Sequence, residues 1–244
     1  MKKTLTIVSI MIMLPTLLWA GEGPTLRKSN FHLGAELQTK YIWRGIEMIP
    51  ENSSPVLFPT IGFEAGGLNI SASGGYALLG NFAELDLSLS YTLGWVTLGL
   101  NDYFTPSVDS PDDSYFHYGR GTGHGIEGFV TIEPQKVPVY FSFATLFAGD
   151  DWQPAGKRAY STYAELGGHY DFLDNNSLSL AVGATFNPSC YNDFLSPFSV
   201  CNIDFRYTHT LEFPIIGDVP VSVAYIVNPV FNKSFLNLTV SFGF

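Results

Sequence analysis

The chain is 244 residues long and carries a formal charge of −10 at neutral pH, so it lacks the basic surface that binding to nucleic-acid phosphates requires. Hydrophobic residues make up 46% and charged residues only 14%, against roughly 25% charged in an ordinary soluble domain. Such a chain needs either a large buried core or lipid to cover its apolar surface, and past residue 20 no apolar run is long enough for a membrane-crossing helix.

The first element in chain order reads as an export leader. Lys2 and Lys3 supply a positive start, Thr4 to Leu18 is almost wholly apolar, and Trp19-Ala20 before Gly21 offers a cleavage point. The expected organisation is a leader over 1–20 and a single domain over 21–244. No cysteine follows the apolar run, so a lipid-anchored lipoprotein is not expected.

From residue 31 onward the pattern has a period of two. Phe31, Leu33, Ala35, Leu37, Thr39 and Tyr41 alternate with His32, Gly34, Glu36, Gln38 and Lys40, which places one set on each face of a strand. The same alternation recurs at Ala83 to Tyr91, Ser177 to Ala184, Asn202 to Thr208 and Leu236 to Phe244. Twelve segments follow, near 31–43, 56–66, 68–78, 82–93, 95–105, 123–133, 137–148, 159–172, 177–187, 200–213, 219–228 and 234–244. Their lengths suit strands tilted across a bilayer. Ten or fourteen strands are the neighbouring counts.

Short turns, such as Gly66-Gly67, Gly94 and Asp174-Asn175-Asn176, alternate with long polar connections at 47–55, 106–122, 149–158 and 187–199. That asymmetry belongs to outer-membrane barrels, and an even strand count puts both ends of the domain on the short-turn side. Tyr41, Trp43, Tyr103, Phe104, Tyr140, Phe147, Tyr160, Tyr170, Phe172, Phe213, Tyr225 and Phe235 fall near strand ends, where aromatic girdles are expected at the headgroup level. The competing fold is a soluble β-sandwich with an aromatic core. The small, uncharged residues on the polar phase favour a crowded barrel interior over a solvated sheet face. The fold expected is therefore an all-β, antiparallel up-and-down transmembrane barrel in the outer membrane of a Gram-negative bacterium, with lipid as its surroundings. The last strand ends in Phe242 and Phe244 after Val240, the pattern that the barrel-assembly machinery reads in outer-membrane proteins.

Near the start of the mature chain, Leu37-Gln-Thr-Lys-Tyr-Ile-Trp-Arg-Gly-Ile46 resembles the opening of the Gcw-type conserved hypothetical family of Gram-negative exported proteins. Tyr41, Trp43, Arg44 and Gly45 match that family's motif, and Glu84 to Leu87 with Asn101 to Pro106 extends the similarity over about the first hundred mature residues. The family has no established activity, so the resemblance implies an exported barrel and nothing about chemistry. Trp43 is expected at the headgroup level, with Arg44 at the outer end of the first strand, paired with acidic groups or solvated.

If the apolar phase faces lipid, the alternate phase lines the lumen: Glu36, Lys40, Glu64, Glu84, Asp86, Glu127, Glu165, His169, Asp204, Arg206 and Glu212. Placing a charge on the lipid side costs roughly 2–4 kcal/mol for Lys or Arg at midplane. Carboxylates dominate this set, giving an acidic interior that concentrates cations if water fills it. Inward-pointing Phe129, Tyr163 and Tyr103 make the expected passage narrow or partly occluded. Cys190 and Cys201, in an oxidising compartment, are expected to form a disulfide worth roughly 3 kcal/mol, fixing an outer loop. No cofactor or metal motif is evident. His117, His124, Asp109, Asp112 and Asp113 share a loop without defined ligand spacing, and His209, the one histidine that could face lipid in a hydrolase, has no serine motif beside it. The leading function is a passive channel or facilitator for small solutes with mild cation preference. The alternative is a non-conducting barrel acting through its outer loops, and a lipid hydrolase stands third.

Overall fold

The computed structural model describes residues 30–50, 54–106 and 114–243. The expected leader, Phe244 and the loop residues Asp109, Asp112 and Asp113 lie outside the described residues. The strands are β1 (Phe31–Gln38), β2 (Ile42–Trp43), β3 (Ile46–Glu47), β4 (Val56–Ala65), β5 (Leu68–Ala77), β6 (Ala83–Leu93), β7 (Val96–Phe104), β8 (His124–Ile132), β9 (Val139–Gly149), β10 (Thr162–Phe172), β11 (Asn176–Thr185), β12 (Ser199–Phe213), β13 (Gly217–Asn228) and β14 (Lys233–Gly243). One 3-10 turn, Cys190–Asn192, precedes β12.

Twelve of these strands, all but β2 and β3, form one closed antiparallel barrel in which each strand pairs with its neighbours in sequence. Closure is made by β1 against β14, from Gly34 opposite Gly243 to Gln38 opposite Thr239. Closing the sheet leaves no unpaired edge, which a spanning sheet requires in lipid. The apolar phase points outward: Leu33, Ile61, Leu89, Leu98, Phe141, Leu166, Leu180, Phe205, Tyr225 and Leu236 are exposed. An apolar exterior continuing around a whole barrel far exceeds the patches that soluble proteins leave bare, and it matches the lipid-facing band of a spanning barrel.

Five connections, at 66–67, 94–95, 133–138, 173–175 and 214–216, lie at one end, and β1, β7, β9 and β11 lead into their longer connections at the other. Two irregularities adjust the wall. Between β8 and β9 the register shifts at Ile126/Glu127, leaving Phe147 as the extra residue. Between β11 and β12 it shifts at Gly183/Ala184, leaving Cys201 as the extra residue, so that Cys201 and Asn202 are both buried although adjacent. Bulges re-aim side chains in this way.

The principal departure from expectation is the first strand. It was expected to run to residue 43 and ends at Gln38. Asn237 of β14 ends it: its side-chain oxygen accepts from Thr39 Oγ1 (2.9 Å) and from the Lys40 amide (2.9 Å), and its Nδ2 donates to Gln38 Oε1 (3.3 Å). Thr39 Oγ1 in turn takes the Leu238 amide at 2.9 Å. The Thr39 amide still donates to the Leu238 carbonyl at 2.9 Å; beyond it side chains satisfy the ladder, and the chain leaves the wall and turns into the lumen.

Candidate functional site: a hairpin folded into the lumen

Residues 41–48 form a small antiparallel hairpin, with Ile42 opposite Glu47 and Trp43 opposite Ile46. The two residues between its strands, Arg44 and Gly45, have φ of 50° and 81°. A two-residue loop with both φ values positive is the hairpin turn whose twist matches its strands, and Gly is favoured at its second position. Gly45 has a second constraint. A Cβ there would lie 2.3 Å from the Cys201 carbonyl oxygen, so only a glycine lets the turn approach the wall this closely.

The hairpin reaches around the interior. Ile42 packs on Ala224, Ile226 and Phe235 of β13 and β14. Tyr41 packs on Val56 and Phe58 of β4 and on Phe82. Trp43 meets Tyr103 of β7 edge-on, with ring centroids 5.8 Å apart, and Tyr191 of the 3-10 turn at 5.4 Å. Asn228 of β13 donates to the Gly45 carbonyl at 3.0 Å. At the tip, Arg44 grips Glu127 of β8 through both terminal nitrogens, at 2.5 and 2.9 Å, and donates to the Tyr191 hydroxyl at 2.5 Å. Its guanidinium also lies 4.5 Å from the Tyr163 ring centroid of β10. Glu127 is wholly buried, so this fork satisfies a carboxylate that no bulk water reaches. Asn101 and Tyr103 complete its shell, the tyrosine hydroxyl donating at 3.0 Å. Lys40 closes the base of the hairpin on Glu47 at 2.6 Å.

The remaining lumen carboxylates are arranged in separate clusters. Glu84 accepts from Tyr41 (2.5 Å) and Thr105 (2.7 Å). Glu165 accepts from Tyr140 (2.6 Å), from Asn202 (3.2 Å) and from Tyr163. Asp204 pairs with Arg206 at 3.0 Å, and Glu36 accepts from Gln38 and Ser241. Asp86 takes only a long contact from Ser73 (3.5 Å). Asp86 Oδ1, Ser88 Oγ, Arg206 Nε and Thr239 Oγ1 are buried without a hydrogen-bond partner from the protein. Buried polar atoms are matched by protein or by water, so the lumen level with the hairpin tip and toward the short turns is a compartment suited to water.

Several expectations need correction. Glu64 and Glu212 keep the inward phase of their strands and are exposed near the short-turn end, Glu64 bonded to Asn69. His169, half-buried, lies 3.7 Å from Asp171. Among the expected girdle residues, Phe147, Tyr160, Tyr170, Phe213 and Tyr225 are exposed, whereas Tyr41, Tyr140 and Phe235 are buried inside the barrel and Trp43 turns inward with its hairpin. Phe104 is covered by Tyr115 and His124. Cys190 and Cys201 carry free thiols in this structure and pack in one cluster with Tyr163 and Tyr191. The loop between them is fixed by hydrogen bonds and burial. Ser189 and Asn192 cap the 3-10 turn reciprocally, Asn192 also ties the Asn187 and Ser196 carbonyls, and Tyr191 is fully buried. His209 is held by Asn176 at 3.1 Å at the short-turn end. His124 lies between Asp102 (2.7 Å) and the Tyr115 carbonyl (2.6 Å).

The residues that sequence reasoning missed are the hairpin's receptors: Asn237, Asn228, Tyr191 and Asn202. Asn202, Asn228 and Asn237, hydrogen-bonding side chains on the inward phases of their strands, carried a local signal, and Tyr191, in a loop, carried none.

No family model matches the chain, and no curated relative matches it. Among solved structures, the chain is similar to the COG4313 outer membrane channel from Pseudomonas putida F1 (14% identity over 88% of this chain and 95% of that one, TM-score 0.47). It is also similar to OccD3 (OpdP) from Pseudomonas aeruginosa (11% identity, 90% of this chain and 66% of that one, TM-score 0.42). A third similarity is to a porin (16% identity, 78% and 62%, TM-score 0.34).

Proposed function

We propose that this protein is an outer-membrane channel or facilitator for small solutes, with a mild cation preference, in which the 41–48 hairpin forms the constriction. The observation that carries the reading is the hairpin's mode of attachment. Its base and strands pack on the wall through Tyr41, Ile42 and Trp43, while its tip is held by one ion pair and a few hydrogen bonds, beside wall atoms that call for water. The lumen carboxylates Glu84, Asp86, Glu165 and Glu36 outnumber the unneutralised cations near them, which favours cation entry. Export by the leader over 1–20, membership of the Gcw-type family, assembly through the strand ending at Phe242 and Phe244, and residence in outer-membrane lipid belong to the same reading. The occlusion also favours the second reading, a barrel that stays closed and acts through its outer loops.

Refolded protein in a planar bilayer under a salt gradient separates the two. Discrete conductance steps with a reversal potential on the cation side support the channel, and Glu84→Gln with Asp86→Asn reduces that potential. Absence of steps from protein shown to be folded and inserted rejects the channel and leaves the closed barrel.

A further inference from the structure

Beside the hairpin, on the long-loop side of Glu84, lies a cavity of about 380 Å³. We propose that it is a binding site for a compact organic cation of the quaternary ammonium class. This deepens the cation preference above, and rests on it for its biological sense. The walls supply three aromatic side chains, Tyr41, Trp43 and Tyr103, with the last two set edge-to-face. Two carboxylates, Glu84 and Asp150, add negative charge; His124, paired with Asp102, also lines the space, Arg44 lies 4.9 Å from the Trp43 ring centroid without lining it, and among the described residues no lysine or arginine does.

The hydrogen-bonding state of the lining discriminates among ligands. The hydroxyls of Tyr41 and Thr105 donate to Glu84, that of Tyr103 to Glu127, and that of Thr122 to the His117 carbonyl. Glu84 thus has both oxygens engaged by hydroxyls. A sugar needs free donors and acceptors in pairs, and an anion needs donors or positive charge. An alkylated ammonium needs neither, being held by charge and by aromatic faces. The volume sits at the small end of ligand pockets, roughly 300–1,000 Å³, which fits a compact ligand.

The test is isothermal titration of the refolded full-length protein in detergent with choline, with 3,3-dimethylbutanol as its uncharged isostere, and with glucose. The site predicts choline binding at least about tenfold tighter than the isostere, with glucose weaker still, and a loss of roughly tenfold in Glu84→Gln, whose amide oxygen keeps an acceptor for the two hydroxyls. Asp150→Asn, in a loop, weakens choline in the same direction and guards against a folding defect in the first variant. Equal affinity for choline and the isostere, preferential binding of glucose, or no choline heat overturns the proposal. The titration reads binding and the bilayer reads conduction, so failure here leaves the channel standing, and a silent bilayer leaves the site standing.

Discussion

Tyr163 lies against Gly183 and Tyr140 against Gly167, each ring occupying the place where the glycine's side chain would be. A Cβ on Gly183 would fall 2.0 Å from the Tyr163 hydroxyl, and one on Gly167 2.4 Å from the Tyr140 ring. Tyr163 cannot swing away freely, because its hydroxyl is held by Glu165 and Asn202 and its ring lies under Arg44. Gly183→Ala is therefore expected to destabilise the barrel by about 1–3 kcal/mol, the usual cost of overpacking, measured as a lower midpoint in urea unfolding. An unchanged midpoint would mean that the ring is not locked. Burial pushes the Cys190 thiol up to about 11, from the 9.0 of an ordinary thiol. The neutral form therefore persists in the folded protein at pH 8, and since the thiolate is the reactive species, alkylation there should be roughly a hundredfold slower than in the unfolded chain. The rate should rise with pH until the thiol titrates. Labelling of reduced, folded protein, followed by peptide mass spectrometry, gives the rate; equality with the unfolded chain would contradict the buried placement. The alternation already marked Gly183 and Glu165 as inward small or acidic positions. Which ring covers which glycine depends on cross-strand register, which one strand's pattern does not carry.

At the scale of elements, β1 and its hairpin show where a periodic reading overruns. Leu37, Thr39, Tyr41 and Trp43 continue the apolar phase without a break, so the local pattern extends the strand to the rim. What ends it is Asn237, far along the chain, whose side chain replaces the next ladder partners. The Tyr41-Trp43-Arg44-Gly45 motif was recognisable as a unit, and Arg44 in search of an acidic partner was one of two readings open to it. Its true place, against Glu127, required the closed barrel. Gly45 bears the strictest local demand in the hairpin. Gly45→Ala meets both a positive φ and a backbone oxygen at 2.3 Å, so the tip must withdraw from the wall. Intrinsic fluorescence should then report Trp43 moving into a wetter setting, as a red shift against wild type, while the folded barrel keeps its resistance to detergent unfolding. A spectrum identical to wild type would show that the tip does not rest on Cys201.

For the whole molecule, the barrel was legible because its covering solvent imposes one rule on every strand: apolar outward, polar or small inward. Twelve repetitions of a weak signal add up, and the long and short connections then orient the cylinder. The state of the lumen was less legible, because occlusion depends on a dozen residues leaving the wall, and composition cannot tell an inward aromatic from a girdle aromatic. The account's central claim is that the Arg44–Glu127 pair holds the hairpin across the passage. Removing one partner of a buried pair costs roughly 3–5 kcal/mol by stranding the other charge, so Arg44→Ala favours a withdrawn hairpin and a hydrated Glu127. The most direct measurement is the single-channel conductance of wild type and Arg44→Ala, side by side in the same bilayer. The account predicts small or rare openings in wild type and conductance at least about twofold larger or more frequent in the variant, with stronger cation selectivity from the freed carboxylate. Equal conductance from two proteins that are equally folded and inserted would contradict it.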